Sequence, residues 1–263
     1  MNHLAVLVIG NEILSGKVQE SNALFVIREL QAQGGISHLE VILDEVNAIS
    51  EAIVRLSRHF SYVVTSGGVG PTHDDITLAS IAKAFKVPCI QNSELAEGIQ
   101  RHFGAACNAT LLAMANLPQG TELLRSSKDA FPVFRFRNIF ILPGLPHYFQ
   151  PKFLEIKPFL LRKPLFIRAL HVGLEESTCA EKLFEVEKNF PQVRIGSYPK
   201  VGQEYSLLLT FESYESIPLK EAILCLKKWF PPQIPFQEEI LFEPDSESSE
   251  SSASSASSAI PNP

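Results

Sequence analysis

Apolar residues fall along this chain in more than one rhythm. From Leu4 to Ile9 every position is apolar, LAVLVI, and Gly10 closes the run, with Gly10 to Gly16 reading as a loop. Such a run, rich in branched side chains, predicts a strand buried on both faces, as in a parallel sheet. Tyr62 to Thr65 repeats the signal ahead of a glycine cluster, and Leu39 to Leu43, Thr121 to Leu124 and Asn138 to Leu142 read as further strands. Val133 to Phe136 leads into Phe134-Arg135-Phe136-Arg137, whose alternation predicts one buried and one wet face, with both arginines solvated rather than clamping a substrate. Elsewhere the period is helical. Ser21-Asn22 reads as the cap of a helix whose apolar face holds Leu24, Phe25, Ile27 and Leu30, and Gly34-Gly35 ends that helix. Ile49, Ile53 and Leu56 mark a helix ending at His59, and Ile76, Ala79, Ile81 and Phe85 mark one from Asp75 to Phe85. Ser93 and Asn108 cap two more, and another follows Pro146.

Pro164 reads as a hinge. Beyond it the order is strand, helix, strand, strand, helix: Leu165 to Val172, Glu175 to Asn189, Val193 to Ser197, Tyr205 to Phe211 and Ile217 to Trp229. That run is short for a domain and predicts a small appended α+β unit. From Asp245 onward Ser, Glu and Ala dominate, a composition that buries too little apolar surface to offset ordering entropy. The expected organisation is an α/β domain over 1–163, an α+β unit over 164–240 and a disordered serine-rich tail over 241–263.

With 263 residues, 45% of them hydrophobic, the chain suffices for one substantial core and a small second one. A net charge of -6 without a basic stripe argues against nucleic acid as partner. A small anionic ligand is compatible, because a local cradle of amides needs no basic protein. The four cysteines are widely spaced, with no CxxC pair, which fits a reducing compartment rather than a zinc site. No apolar run approaches membrane-spanning length, so a cytoplasmic protein with no membrane partner is expected.

The candidate chemistry centres on SYVVTSGGVGPTHDDITLAS, Ser61 to Ser80. A strand breaks into Ser66-Gly67-Gly68-Val69-Gly70-Pro71-Thr72, and a helix carrying Asp74 and Asp75 in its first turn is expected to follow. Glycines let successive N–H groups turn toward an anion. Two carboxylates beside such a cradle repel phosphate unless a cation lies between, which points to a divalent metal with a phosphorylated ligand. The pattern is neither a Walker A loop nor the dinucleotide fingerprint. On local grounds a plain strand–turn–helix, with Asp74 as its N-cap, is an equal alternative. Asp44 follows a predicted strand end, and ligands in open α/β sheets bind at the carboxyl ends of strands. Asp44 and Asp75 are therefore expected to converge on one ligand.

GGVGPTHDDIT resembles the signature loop of the molybdopterin-binding superfamily, the MoaB/Mog and CinA-type domains, at Gly67, Gly68, Gly70, Pro71, Asp75 and Thr77. The Thr72-His73-Asp74-Asp75 form is most similar to the N-terminal domain of eukaryotic two-domain FAD synthases. Two further blocks agree. Glu12, Ser15, Gly16 and Asn22 match a GDEILSG…TN segment in which Asn11 replaces Asp, and Leu142 to Pro146 matches an LPG-x-P turn whose Gly144 approaches the ligand opposite the glycine loop. The second unit, with its Gly196-Ser197-Tyr198-Pro199 turn, resembles the connecting unit of CinA and FAD-synthase-type proteins.

The resemblance implies a MoaB/Mog-like three-layer fold, a sheet with helices on both faces, and assembly as a homo-oligomer. It implies Asp44, Asp75 and His73 as catalytic residues, with Asp44, Asp74 and Asp75 holding magnesium or cobalt and potassium as an accessory ion. Glu12, Ser15, Asn22, Ser66, Gly67, Gly68, Gly70, Thr72 and Gly144 are the implied substrate contacts. The implied reaction is hydrolysis of FAD to FMN and AMP, or of ADP-ribose. A molybdopterin adenylyltransferase, or a flavin-binding module without turnover, are the alternatives. The reductase-like domain that adenylylates FMN in complete FAD synthases has no counterpart here, so synthesis of FAD by that route is not expected.

Overall fold

The computed structural model describes residues 2–125, 131–201 and 205–244. Contacts divide the chain into two units, Met1–Gln31 with Gly35–Leu161 and Ala32–Gly34 with Arg162–Pro263. The first runs β1 (Asn2–Ile9), α1 (Asn11–Leu14), α2 (Asn22–Glu29), β2 (His38–Ile42), α3 (Val46–His59), β3 (Phe60–Ser66), α4 (Thr77–Phe85), β4 (Cys89–Gln91) and α5 (Ser93–Phe103). It continues with α6 (Ala109–Ala113), β5 (Asn116–Pro118), β6 (Glu122–Leu124), β7 (Val133–Phe136), β8 (Ile139–Leu142) and α7 (Pro146–Leu160).

Its main sheet has the order β2-β1-β3-β8-β7-β6. The first four strands are parallel, and β7 and β6 complete it antiparallel. The unbroken apolar runs are explained by burial on both faces. Ala5, Leu7 and Ile9 of β1 face a core with Ile49, Ile53, Leu56 and Ile81 from α3 and α4. Leu4, Val6 and Val8 face the opposite core with Ala23 and Val26 of α2 and Phe149, Phe153, Ile156 and Leu160 of α7. The result is the expected three-layer α/β fold. Each of these large side chains contributes about 1.5–3 kcal/mol by leaving water.

In the second unit β9 (Phe166–Val172), α8 (Glu176–Asn189), β10 (Arg194–Pro199), β11 (Leu207–Ser213), α9 (Ser216–Trp229) and β12 (Phe236–Phe242) form an antiparallel sheet of order β10-β11-β9-β12. Leu170, Val172, Leu209 and Phe211 on one face pack with Cys179 and Val186 of α8 and Leu219, Ile223 and Leu226 of α9.

Several expectations need correction. Asn11 to Leu14, read as loop, makes one helical turn. Helix α4 starts at Thr77, so Asp74 and Asp75 lie outside its first turn and Asp74 is not its N-cap. Asn92, not Ser93, caps α5, whereas Asn108 caps α6 as anticipated. Residues 196–199 belong to strand β10, not a turn, and the Ser197 hydroxyl donates to Glu176 Oε1 at 2.5 Å. Strand β12 went unforeseen, and it carries Leu241 and Phe242, placed in the tail by composition, into the sheet edge. The remaining tail, from Asp245, lies outside the described residues. Arg135 and Arg137 are not clamps: Arg135 lies 5.7 Å from the Phe140 ring centroid and Arg137 lies 4.3 Å from that of Phe85. Cys89, Cys107, Cys179 and Cys225 are free thiols. Among the described residues no helix is long and apolar enough to cross a membrane.

Phe140, fully buried on β8, packs its ring against Tyr62 and Phe159. Phe140→Ala should lower the unfolding free energy of the first unit by about 3–5 kcal/mol. Urea denaturation followed by circular dichroism checks this, and a loss under about 1 kcal/mol would contradict the packing described.

Candidate functional site

The site is built where the parallel strands end. Gly67 leaves β3 with φ 111°, a conformation L side chains rarely adopt. A Cβ there would collide with the carbonyl oxygen of Ile9 at the end of β1. On its other side, a Cβ on Gly144 would lie 3.2 Å from the Gly67 Cα. The Gly67 N–H donates to Leu142 O at 3.2 Å. Three strand ends thus meet backbone to backbone, with no room for a Cβ at Gly67 and little at Gly144.

Asn22 fastens this junction. It is buried, and its Nδ2 donates to Gly144 O at 2.7 Å and to Ser66 Oγ at 2.9 Å. It is therefore not a helix cap: the first turn of α2 is capped by Glu20 Oε1, which accepts from the Ala23 N–H at 2.9 Å. Asn22 Oδ1 is buried and has no hydrogen-bond partner. Thr77, also buried, holds the far side of the loop. Its hydroxyl donates to Gly67 O at 2.9 Å and its N–H to Gly68 O at 3.1 Å.

These fastenings leave three consecutive amides open. The N–H groups of Gly68, Val69 and Gly70 are half-buried and have no acceptor among the described residues. Successive unpaired amides in a glycine turn can receive an anion, which would supply their missing acceptor. The assignment differs from expectation at both ends. The Gly67 amide is taken by Leu142 O, and Thr72 gives both its N–H (2.8 Å) and its hydroxyl (2.5 Å) to Asp75 Oδ2. Thr72 is therefore a support for Asp75 rather than a free phosphate ligand. Val69, absent from the expected contacts, offers an open amide of its backbone, which leaves no mark on side-chain identity.

The acids lie around this loop. Gly70 is required beside Asp75, since a Cβ would stand 2.5 Å from Asp75 Oδ2. Asp75 Oδ1 has no hydrogen-bond partner among the described residues. Asp74 is exposed, and the nearby Thr72 side chain first, then its own backbone amide, hold its carboxyl below the usual value, while the Thr72 hydroxyl proton itself goes to Asp75. His73 is exposed on the same turn and makes no hydrogen bond among the described residues. Across β1, which lies between β2 and β3, Asp44 and Asn11 form a reciprocal pair. The Asn11 N–H donates to Asp44 Oδ2 at 2.7 Å, and the Asp44 N–H donates to Asn11 Oδ1 at 3.3 Å. Glu12 folds its carboxylate back over Gly10, where a Cβ would lie 2.6 Å from Oε1. Ser15 donates to Glu12 O at 3.3 Å, closing α1 rather than facing a ligand.

Among the described residues no three His, Cys, Asp or Glu side chains form a ready metal cluster, so Asp44, Asp74 and Asp75 do not make a three-carboxylate cage. The donor set still suits a hard cation, because magnesium is commonly bound through one or two carboxylates plus substrate phosphates.

Residues 5–162 match the family model described as "Probable molybdopterin binding domain", and residues 164–239 match that described as "FAD synthase, middle domain". A Caenorhabditis elegans protein named "Probable FAD synthase" is 31% identical over 85% of this chain and 49% of its own length. A "CinA-like protein" of Prochlorococcus marinus is 29% identical over 83% of this chain and 55% of its own length. The chain thus spans about half the length of these curated relatives. The crystal structure of CinA from Thermoplasma acidophilum, titled as of unknown function, superposes with a TM-score of 0.55 at 25% identity, covering 61% of this chain and 98% of that one.

If Asn22 fastens the junction, Asn22→Ala should destabilise the first unit by about 1–3 kcal/mol, since Gly144 O and Ser66 Oγ lose their donor. Chemical denaturation measures the loss. A neutral effect would show that the glycine contacts hold the strand ends unaided.

Proposed function

The chain belongs to the family described as the probable molybdopterin binding domain, and from that membership we propose a metal-dependent nucleotide pyrophosphatase. Its substrate is FAD, cleaved to FMN and AMP, or ADP-ribose. The observation that carries the reading is the run of three open amides, Gly68 to Gly70, in the loop that also holds Asp75, with Asp44 hydrogen-bonded to Asn11 just past the end of the neighbouring strand β1. Nearby relatives are named FAD synthase and CinA-like, which supports a nucleotide as ligand.

Binding begins with the diphosphate on the three amides, which are oriented before the ligand arrives. Hydrolysis adds water to one phosphorus while its bond to the bridging oxygen breaks. Each product leaves as a phosphomonoester. The amides stabilise charge on the phosphoryl oxygens as that bond breaks, without any rearrangement of the loop. Asp44 and Asp75 would hold magnesium or cobalt through their unbonded oxygens, with Asp74 close by and potassium as an accessory ion, and the cation would supply charge neutralisation. Thr72 and Asn11 orient those two carboxylates through the bonds described above. His73, exposed and next to Asp74 in the chain, would pass a proton to the departing oxygen. Asn11 in place of an acid reduces the negative charge next to Asp44.

Purified protein incubated with FAD, magnesium or cobalt, and potassium should release AMP. Asp75→Ala should lower the rate roughly a hundredfold, the scale of losing one charge-organising group. Quantifying AMP by chromatography decides the matter: no release by the wild type, or equal release by the variant, would refute the assignment.

A further inference from the structure

The diphosphate loop has an apolar neighbour that the proposed chemistry does not use. Immediately after Gly144, Leu145 is 64% exposed and Tyr148 is 58% exposed, although both belong to the entry of α7. The next residue, Phe149, is fully buried, so this turn of the helix is firmly seated while its outer side is bare. The His147 ring meets the Tyr148 ring edge-on at 5.3 Å. Neither side chain makes a hydrogen bond among the described residues.

Side chains of a helix lean toward its N-terminus, so a first-turn residue covers the ground ahead of the helix. For Tyr148 that ground is the Gly144 turn. The turn touches Gly67 and is gripped by Asn22, whose buried Oδ1 is without a partner. A diphosphate on the Gly68–Gly70 amides would therefore share with this exposed aromatic the strand-end edge where α/β sheets take ligands.

We propose that Leu145 and Tyr148 form the platform on which the aromatic ring of the nucleotide, flavin or adenine, stacks while its diphosphate occupies the glycine loop. The inference rests on the function proposed above and adds to it the surface that selects an aromatic nucleotide over bare pyrophosphate. An exposed tyrosine loses little conformational freedom on stacking, and its face accepts any planar heterocycle.

Tyr148→Ala and Tyr148→Phe separate this role from the chemistry, and the position is exposed enough to leave folding intact. FAD binding is titrated calorimetrically with the wild type and both variants, using Asp75→Ala protein as a parallel background. FMN fluorescence quenching and AMP titration then tell which ring stacks. Tyr148→Ala should weaken FAD binding roughly tenfold, and Tyr148→Phe should bind within about twofold of the wild type, because the ring and not the hydroxyl is used. Wild type that binds FAD in this Tyr148-dependent way but releases no AMP upholds the platform and refutes the hydrolase. Wild type that releases AMP while Tyr148→Ala binds FAD unchanged refutes the platform alone. Wild type that does not bind FAD, FMN or AMP refutes both.

Discussion

The approach of Gly67 to both the Ile9 carbonyl and Gly144 is the constraint on which the rest of the site depends. It brings the ends of β1 and β3 closer than any side chain would allow and sets the turn after β8 tightly against them. The strands supply the rigidity, since each is buried on both faces. The glycines supply the missing volume and the positive φ. Asn22 and Thr77 then fix the backbone from opposite sides, and the chain from Gly68 to Gly70 has no strand or helix to pair with. Open amides in a half-buried loop are thus a consequence of close packing beneath them, not of looseness.

The same geometry distributes the acids. Asp75 is bound into the loop by Thr72 and allowed there by Gly70, while Asp44 is bound to Asn11 at the start of α1. Each carboxylate has one oxygen engaged and so a set direction. That arrangement fits a ligand which brings its own oxygen donors. It also explains why no protein-only cluster of three ligands forms among the described residues.

Much of this is legible in the amino-acid sequence. LAVLVI and the glycine cluster announced buried strands and a bent loop, because continuous hydrophobicity and glycine spacing report directly on burial and backbone angles. What was misread had competing local causes. Asp74 and Asp75 resemble acids in a helix's first turn, but Asp75 instead closes a turn with Thr72 and delays α4 to Thr77. Thr72 looked like a phosphate ligand because its intramolecular acceptor lies three residues on. Asn22 looked like a cap because it sits at a helix start, whereas its partners, Ser66 and Gly144, are 44 and 122 residues away. Strand β12 escaped notice because adjacent Glu238 and Glu239, and a register shift between Ile240 and Phe242, hide its alternation.

The account stands or falls on whether the Gly68–Gly70 amides receive the diphosphate. Amide resonances of ¹⁵N-labelled protein, followed by nuclear magnetic resonance as ADP-ribose is added with magnesium, report this residue by residue. The Gly68, Val69 and Gly70 signals should shift most and together, with those of Leu142 and Thr72, whose neighbours are already bonded, moving less. Saturable binding that leaves those three amides unmoved would contradict the account.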